Sequence, residues 1–113
     1  MKRVSFNVAK AIKEAGYPQG QEEYAYRSNG DIYIFENMFE HIPDYCCDAP
    51  TYMEVWLWLW REKKIKVSLE LSCRTLTSIN ADYWIGDIDA VFKDPEEAII
   101  AAIEYLVTND LIK

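Results

Sequence analysis

From Ser5 to Gly16 the apolar positions Val8, Ala11, Ile12 and Ala15 recur at helical spacing, separated by Lys10, Lys13 and Glu14. Ser5 stands where an N-cap hydroxyl can accept from a free backbone N–H. Gly16 suits the left-handed residue that ends a helix, and Pro18 forbids continuation. The pattern then changes period. In "YAYRSNGDIYIFEN", Tyr24, Tyr26, Ile32 and Ile34 alternate around Asn29-Gly30. This predicts two short strands joined by a tight hairpin, of type I′ if both turn residues take positive φ. The following "NMFEHIPDYCCDAP" keeps no period, is broken by Pro43 and closed by Pro50, and carries acidic residues, so it is expected to be a surface loop.

The stretch "EVWLWLWREKK" (54–64) is ambiguous by eye, because Trp56, Trp58 and Trp60 alternate as they would on a strand. Thr51 and Glu54 decide it. They form the Thr-x-x-Glu pattern of a capping box, in which hydroxyl and carboxylate each satisfy a backbone N–H of a helix start. At 100° per residue, Tyr52, Met53, Trp56, Leu59, Trp60 and the stem of Lys63 share one face. The opposite side collects Glu54, Arg61, Glu62 and Trp58. The expectation is therefore a helix with Trp56 and Trp60 in the core and Trp58 displaced to the polar side.

"IKVSLEL" alternates cleanly, with Ile65, Val67, Leu69 and Leu71 on one face and Lys66, Ser68 and Glu70 on the other. A partner strand is expected around Tyr83 to Ile88, after a turn or loop somewhere in Leu76 to Ala81. A last helix starts at Asp94, with Pro95 at its first position and Glu96 and Glu97 in the first turn. Its buried stripe is Ile99, Ala102, Ile103 and Leu106, and Asn109 is a natural stop. The predicted order is α-β-β-α-β-β-α. The economical packing of these pieces is an α+β fold with a four-stranded, mainly antiparallel sheet under the helices.

Composition narrows the class. A chain of 113 residues, half of them hydrophobic, is expected to form one globular domain, residues 1–113, without disulfide staples. No apolar run is longer than that from Val55 to Trp60, far shorter than a membrane span, and the N-terminus lacks the apolar core of a signal peptide. Three cysteines, two of them adjacent, suit a reduced cytoplasmic protein. The net charge of −7 opposes general nucleic-acid binding. The carboxylates gather in 36–54 and 82–97, which points to an acidic side.

With these pieces in place, four stretches carry a resemblance: "AKAIKEAGY" (9–17), "CDAPTYMEVWLWLWREKKIKV" (47–67), "YWIGDI" (83–88) and "EEAIIAAIEYLV" (96–107). In that order they resemble small uncharacterised proteins encoded in phages and prophages of bacteria. The resemblance implies a mobile-element origin and brings no activity, cofactor or catalytic residue with it.

No residue pattern demands chemistry. His41, Cys46, Cys47 and Cys73 do not have the spacing of a structural zinc site. Glu40, Asp44 and Asp48 would disfavour a nucleophilic thiolate beside His41. Asp87 and Asp89 would share one strand face, but the neighbouring Asp94, Glu96 and Glu97 are explained by helix capping. No glycine-rich phosphate loop exists, and a single histidine leaves little for a hydrolytic triad. No cofactor, metal or catalytic residue is expected. The leading expectation is a non-enzymatic protein-binding or accessory module, with Trp58, Glu54, Arg61 and Glu62 facing a protein partner or a second copy of the chain. The alternative is a nucleic-acid-binding accessory protein using the basic cluster Arg61, Lys63, Lys64 and Lys66.

Overall fold

The structure, a computed structural model, describes residues 2–35, 44–71, 75–80, 84–89 and 94–112, with residues 68–89 described through their backbone pairing. The chain divides into two compact units, Lys2–Thr51 and Tyr52–Lys113. Both mix helix and antiparallel strand, so the α+β class holds.

The first unit opens with α1 (Phe6–Glu14). Its N-cap is Ser5, whose hydroxyl accepts from the Val8 N–H at 3.3 Å. At the other end Gly16 takes φ +103°, and the Tyr17 N–H returns to the Ile12 carbonyl at 2.9 Å, closing the helix as the sequence predicts. Val8, Ala9 and Ile12 are buried. β1 (Tyr24–Arg27) and β2 (Ile32–Ile34) form the expected hairpin, but its turn is not type I′. Only Gly30 takes positive φ there, at +90°, and the Gly30 N–H bonds the Arg27 carbonyl at 2.9 Å. The loop is therefore three residues long, Ser28 to Gly30, with the glycine as its left-handed last residue. Asn29 contributes through its side chain, which accepts from the Asp31 N–H at 3.0 Å. Gly30 also packs closely, since a Cβ there would stand 3.3 Å from the Phe6 ring.

The stretch expected to be a surface loop contains a strand, β3 (Tyr45–Asp48), which pairs antiparallel with β1 and makes β1 the centre of a three-stranded sheet in the order β2-β1-β3. The rest of that stretch, 36–43, lies outside the described residues. Three side-chain features hold β3 in place. Asp48, fully buried, accepts from the Gln21 and Glu22 N–H groups at 3.0 and 3.3 Å and from the Tyr45 hydroxyl at 2.6 Å. The Gln19 side chain accepts from the Asp48 N–H at 2.8 Å. Arg3 donates to the Ala49 carbonyl at 3.0 Å while pairing with Glu22 at 3.1 Å. Apart from Tyr45, these partners are remote in sequence, which is why no local pattern announces the strand.

The second unit starts with α2 (Tyr52–Glu62), directly after Thr51, so the helical reading of the tryptophan stretch is correct. β4 (Lys66–Leu71) follows as the alternation predicts, and Ile65 and Val67 are buried. β5 (Thr75–Asn80) occupies the segment expected to turn. Its threonines and Ile79 favour extended backbone, and the polar side chains on it hide the strand from a reading of periodicity. β6 (Trp84–Asp89) completes a second antiparallel sheet in the order β4-β5-β6, with Val67 opposite Ile79 and Thr77 opposite Ile88. Among the described residues, then, the single four-stranded sheet and the order α-β-β-α-β-β-α give way to two three-stranded sheets and the order α-β-β-β-α-β-β-β-α.

α3 (Pro95–Thr108) begins at Asp94, whose carboxylate accepts from the Glu97 N–H at 2.9 Å. It buries Ala98, Ile99, Ala102, Ile103 and Leu106, and Asn109 closes it by donating to the Tyr105 carbonyl. The Tyr52 hydroxyl donates to Glu104 at 2.7 Å and ties α2 to α3. Among the described residues no helix is long and apolar enough to cross a membrane.

Candidate functional site

Every residue of α2 from Tyr52 to Trp60 except Glu54 is apolar or aromatic. A helix that is apolar nearly all round cannot hide all of those side chains against one neighbour, so some must face solvent. Which ones do so is the point where sequence and structure part. Tyr52, Val55, Trp58 and Leu59 are buried, whereas Leu57 and Trp60 are 37% and 43% exposed. The expected assignment is reversed: Trp58 is covered to 9% exposure, and Trp60 is the indole that reaches the surface.

The inward face is turned by about one residue, or roughly 100°, from the one predicted. The few polar residues, Glu54, Arg61 and Glu62, set the sequence-based phase. Packing chooses instead the aliphatic pair Val55 and Leu59, one turn apart, with Tyr52 one turn earlier. The indoles of Trp56 and Trp60, also one turn apart, meet each other edge to face on the adjoining stripe. Their centroids are 6.2 Å apart and the planes 81° from parallel. Trp56 is half-buried and donates its indole N–H to the Val67 carbonyl at 3.2 Å, which fixes this stripe against the start of β4.

The cations lie around these rings. Lys63 places its ammonium 5.5 Å from the Trp58 ring, so Trp58 is covered by a cation. Lys66 places its ammonium 5.3 Å from the Trp60 ring. Lys64 takes φ +57°, the left-handed position that ends α2, and its ammonium donates to the Arg61 carbonyl at 2.9 Å. Trp56, Leu57, Trp60 and Arg61 line a shallow recess of about 290 Å³. Of the four residues expected to meet a partner, Arg61 lines this recess, Glu62 is exposed beside it, Glu54 is half-buried, and Trp58 is removed to the core. Of the basic cluster, Arg61, Lys64 and Lys66 border the recess residues, and Lys63 is directed to Trp58 instead. Sequence reasoning missed Trp56, Leu57 and Trp60. The usable signal was the all-round apolarity of the helix, which guaranteed an exposed set without saying which one.

No protein-family model, curated protein or solved structure matches the chain.

The remaining candidate chemistry sits in the first unit or outside the described residues. His41 and Cys73 fall among the residues not described. Cys46 is the extra residue of a bulge in β3, because Tyr26 pairs with Cys47 and Arg27 with Tyr45. The Cys47 thiol is pushed up to about 12, first by burial and then by its hydrogen bond with Cys46, so it remains a protonated thiol at neutral pH. Burial, followed by the hydrogen bond to Asp48, likewise raises the Tyr45 phenol. These shifts describe a packed interior and offer no activated nucleophile. Among the described residues no group of three or more His, Cys, Asp or Glu side chains could hold a metal ion. Asp87 and Asp89 lie two apart on β6, opposite Ser78 and Leu76 of β5.

Proposed function

We propose that the chain acts by binding another protein, through the Trp60 face of α2, as an accessory module of the kind encoded in phages and prophages. The observation that carries this is the exposed recess formed by Trp56, Leu57, Trp60 and Arg61. Solvent-facing tryptophan beside arginine is the composition of interface hot spots, where a large rigid ring and a planar cation supply most of the binding energy. The ring is held in place in advance, since Trp60 rests on Trp56 and Trp56 is bonded to the backbone of β4. A partner therefore meets an ordered surface and little side-chain entropy is lost on binding. The phage and prophage part of the reading rests on the four resembling stretches alone.

The test is affinity capture from the bacterial host with the wild-type chain and with Trp60→Ala, both shown to be folded by circular dichroism. A protein retained by the first and lost by the second supports the reading. Identical captures by the two would refute it.

A second reading has one observation in its favour: Lys66 and Arg61 interleave with Trp60 as cations do with aromatic rings in single-strand-binding grooves. Titration of tryptophan fluorescence with oligothymidylate at low salt decides it. Quenching that disappears at high salt would support nucleic acid; an unchanged signal at low salt removes it.

A further inference from the structure

The recess has a sign as well as a shape, and the sign selects the partner. Arg61 lines it, Lys66 lies over the Trp60 ring, and Lys64 is fixed at the end of α2 by its bond to the Arg61 carbonyl. None of these three cations forms an ion pair with a carboxylate among the described residues. The chain is strongly acidic as a whole, with a net charge of −7, so three cations gathered around its exposed tryptophan, against the single exposed carboxylate of Glu62 next to Arg61 in sequence, run against the composition. We propose that this recess binds an acidic segment of a partner protein, seating one large apolar side chain between Trp60 and Leu57 while flanking carboxylates meet Arg61, Lys64 and Lys66. The inference rests on the protein-binding reading above and adds the chemistry of the partner.

Two competing occupants fit the same surface less well. A second copy meeting this one around a twofold axis would bring the recess against itself and place Arg61, Lys64 and Lys66 against their own copies. Like charges facing across an interface oppose binding. Single-stranded nucleic acid needs bare ring faces in succession for base stacking. Here Trp56 is half-buried and packed edge to face with Trp60, and Lys66 lies over Trp60, so these rings offer no open succession. A recess of about 290 Å³ is at the lower limit of small-molecule sites and suits one apolar side chain.

The test uses the full chain and short blocked peptides in which one phenylalanine or leucine is flanked by Asp and Glu, by Asn and Gln, or by Lys. Binding is read by tryptophan fluorescence. The acidic set is expected to bind at least about tenfold more tightly than the neutral set, and the advantage should vanish at high salt. Lys66→Glu and Arg61→Glu should erase the preference, and Trp60→Ala should abolish binding with the thermal transition retained. Equal affinity for acidic and neutral peptides, or preference for the lysine set, overturns the proposal. A photo-crosslinking residue in place of Leu57, irradiated in bacterial cells, separates this inference from the reading beneath it. A crosslink mapped to an acidic segment of another protein supports both. A crosslink to a basic or uncharged segment overturns the inference and leaves protein binding standing. Crosslinks to nucleic acid alone, or to a second copy alone, overturn the inference together with the reading it rests on.

Discussion

Truncating the three tryptophans of α2 one at a time tests which side of the helix is core. Trp58 is 9% exposed, so Trp58→Ala leaves a cavity the size of an indole and should destabilise by about 3–5 kcal/mol, as deletions of buried large aromatics do. Trp60 is 43% exposed. Its removal forfeits the edge-to-face contact with Trp56, about 0.5–1.5 kcal/mol, and the Lys66 contact, about 0.5–1 kcal/mol for an exposed cation–π pair. Trp60→Ala should therefore cost less than Trp58→Ala, because it gives up these two contacts and only the covered part of the ring's surface, whereas Trp58 loses nearly all of its burial. Trp56→Ala should lie between, because it also orphans the Val67 carbonyl, about 1–3 kcal/mol if that oxygen stays dry. All four tryptophans of the chain lie in 52–113, so fluorescence-monitored urea unfolding reads this unit without signal from 2–51. The slopes should agree among variants while the midpoints separate. Acrylamide quenching adds a measurement that does not depend on stability: Trp60→Phe should remove more of the quenchable emission than Trp58→Phe. A larger loss for Trp60→Ala than for Trp58→Ala, with emission quenched through Trp58, would refute the packing described and restore the phase read from the sequence.

Three further outcomes probe the first unit. Gly30→Ala should cost about 1–3 kcal/mol by thermal unfolding, from left-handed strain and from the Cβ held 3.3 Å from Phe6. Gly20→Ala, with φ +83° but open space around it, should cost less, and equal costs would remove the Phe6 contact as a cause. Asp48→Ala strands the Gln21 and Glu22 N–H groups and leaves the Tyr45 hydroxyl with Gln19 alone, and should cost about 2–4 kcal/mol in urea unfolding. Asp48→Asn keeps one acceptor and should lose less. At alkaline pH the unfolded Cys47 thiol ionises near 9.0 while the folded one is held up to about 12, so the unfolded state releases its proton first. Stability is therefore full below about pH 9 and falls as pH rises towards 12, by a fraction of the ~1.4 kcal/mol per pH unit that one fully linked group contributes. Cys47→Ala should flatten this fall in reducing buffer; an unchanged slope would show that burial of this thiol is not its source.

What was legible in the sequence shares one property: the information is local. The caps at Ser5 and Asp94, the helix start after Thr51, the alternation of β4 and the stop at Gly16 each depend on residues within a turn or two of one another. β3 was illegible because its support comes from elsewhere. A strand ending in a buried aspartate is sensible only when the Gln21 and Glu22 N–H groups and the Tyr45 hydroxyl converge on it, and Gln21 and Glu22 lie far upstream. β5 failed for a different reason, since a strand of Thr, Ser and Asn around Leu76 and Ile79 shares its composition with a loop.

The tryptophan stretch shows where local reasoning loses its grip on function. Its helix was legible from Thr51 and Glu54, yet its phase was not. A helix is oriented on its neighbours by the contrast between an apolar and a polar side, and α2 has little contrast to offer. With eight apolar or aromatic residues among the nine from Tyr52 to Trp60, several rotations bury comparable area, and the choice passes to shape. In the rotation observed Val55 and Leu59 are fully buried with Trp58 beside them, and the Trp56 N–H reaches a carbonyl at Val67. The outcome sends Trp60 outward into the company of Arg61 and Lys66, so the same packing decision that completes the core also creates the proposed binding face. A substitution that restored contrast would test that link. Trp60→Gln removes the exposed ring and keeps the observed phase, and should leave stability close to that of Trp60→Ala while partner capture is lost.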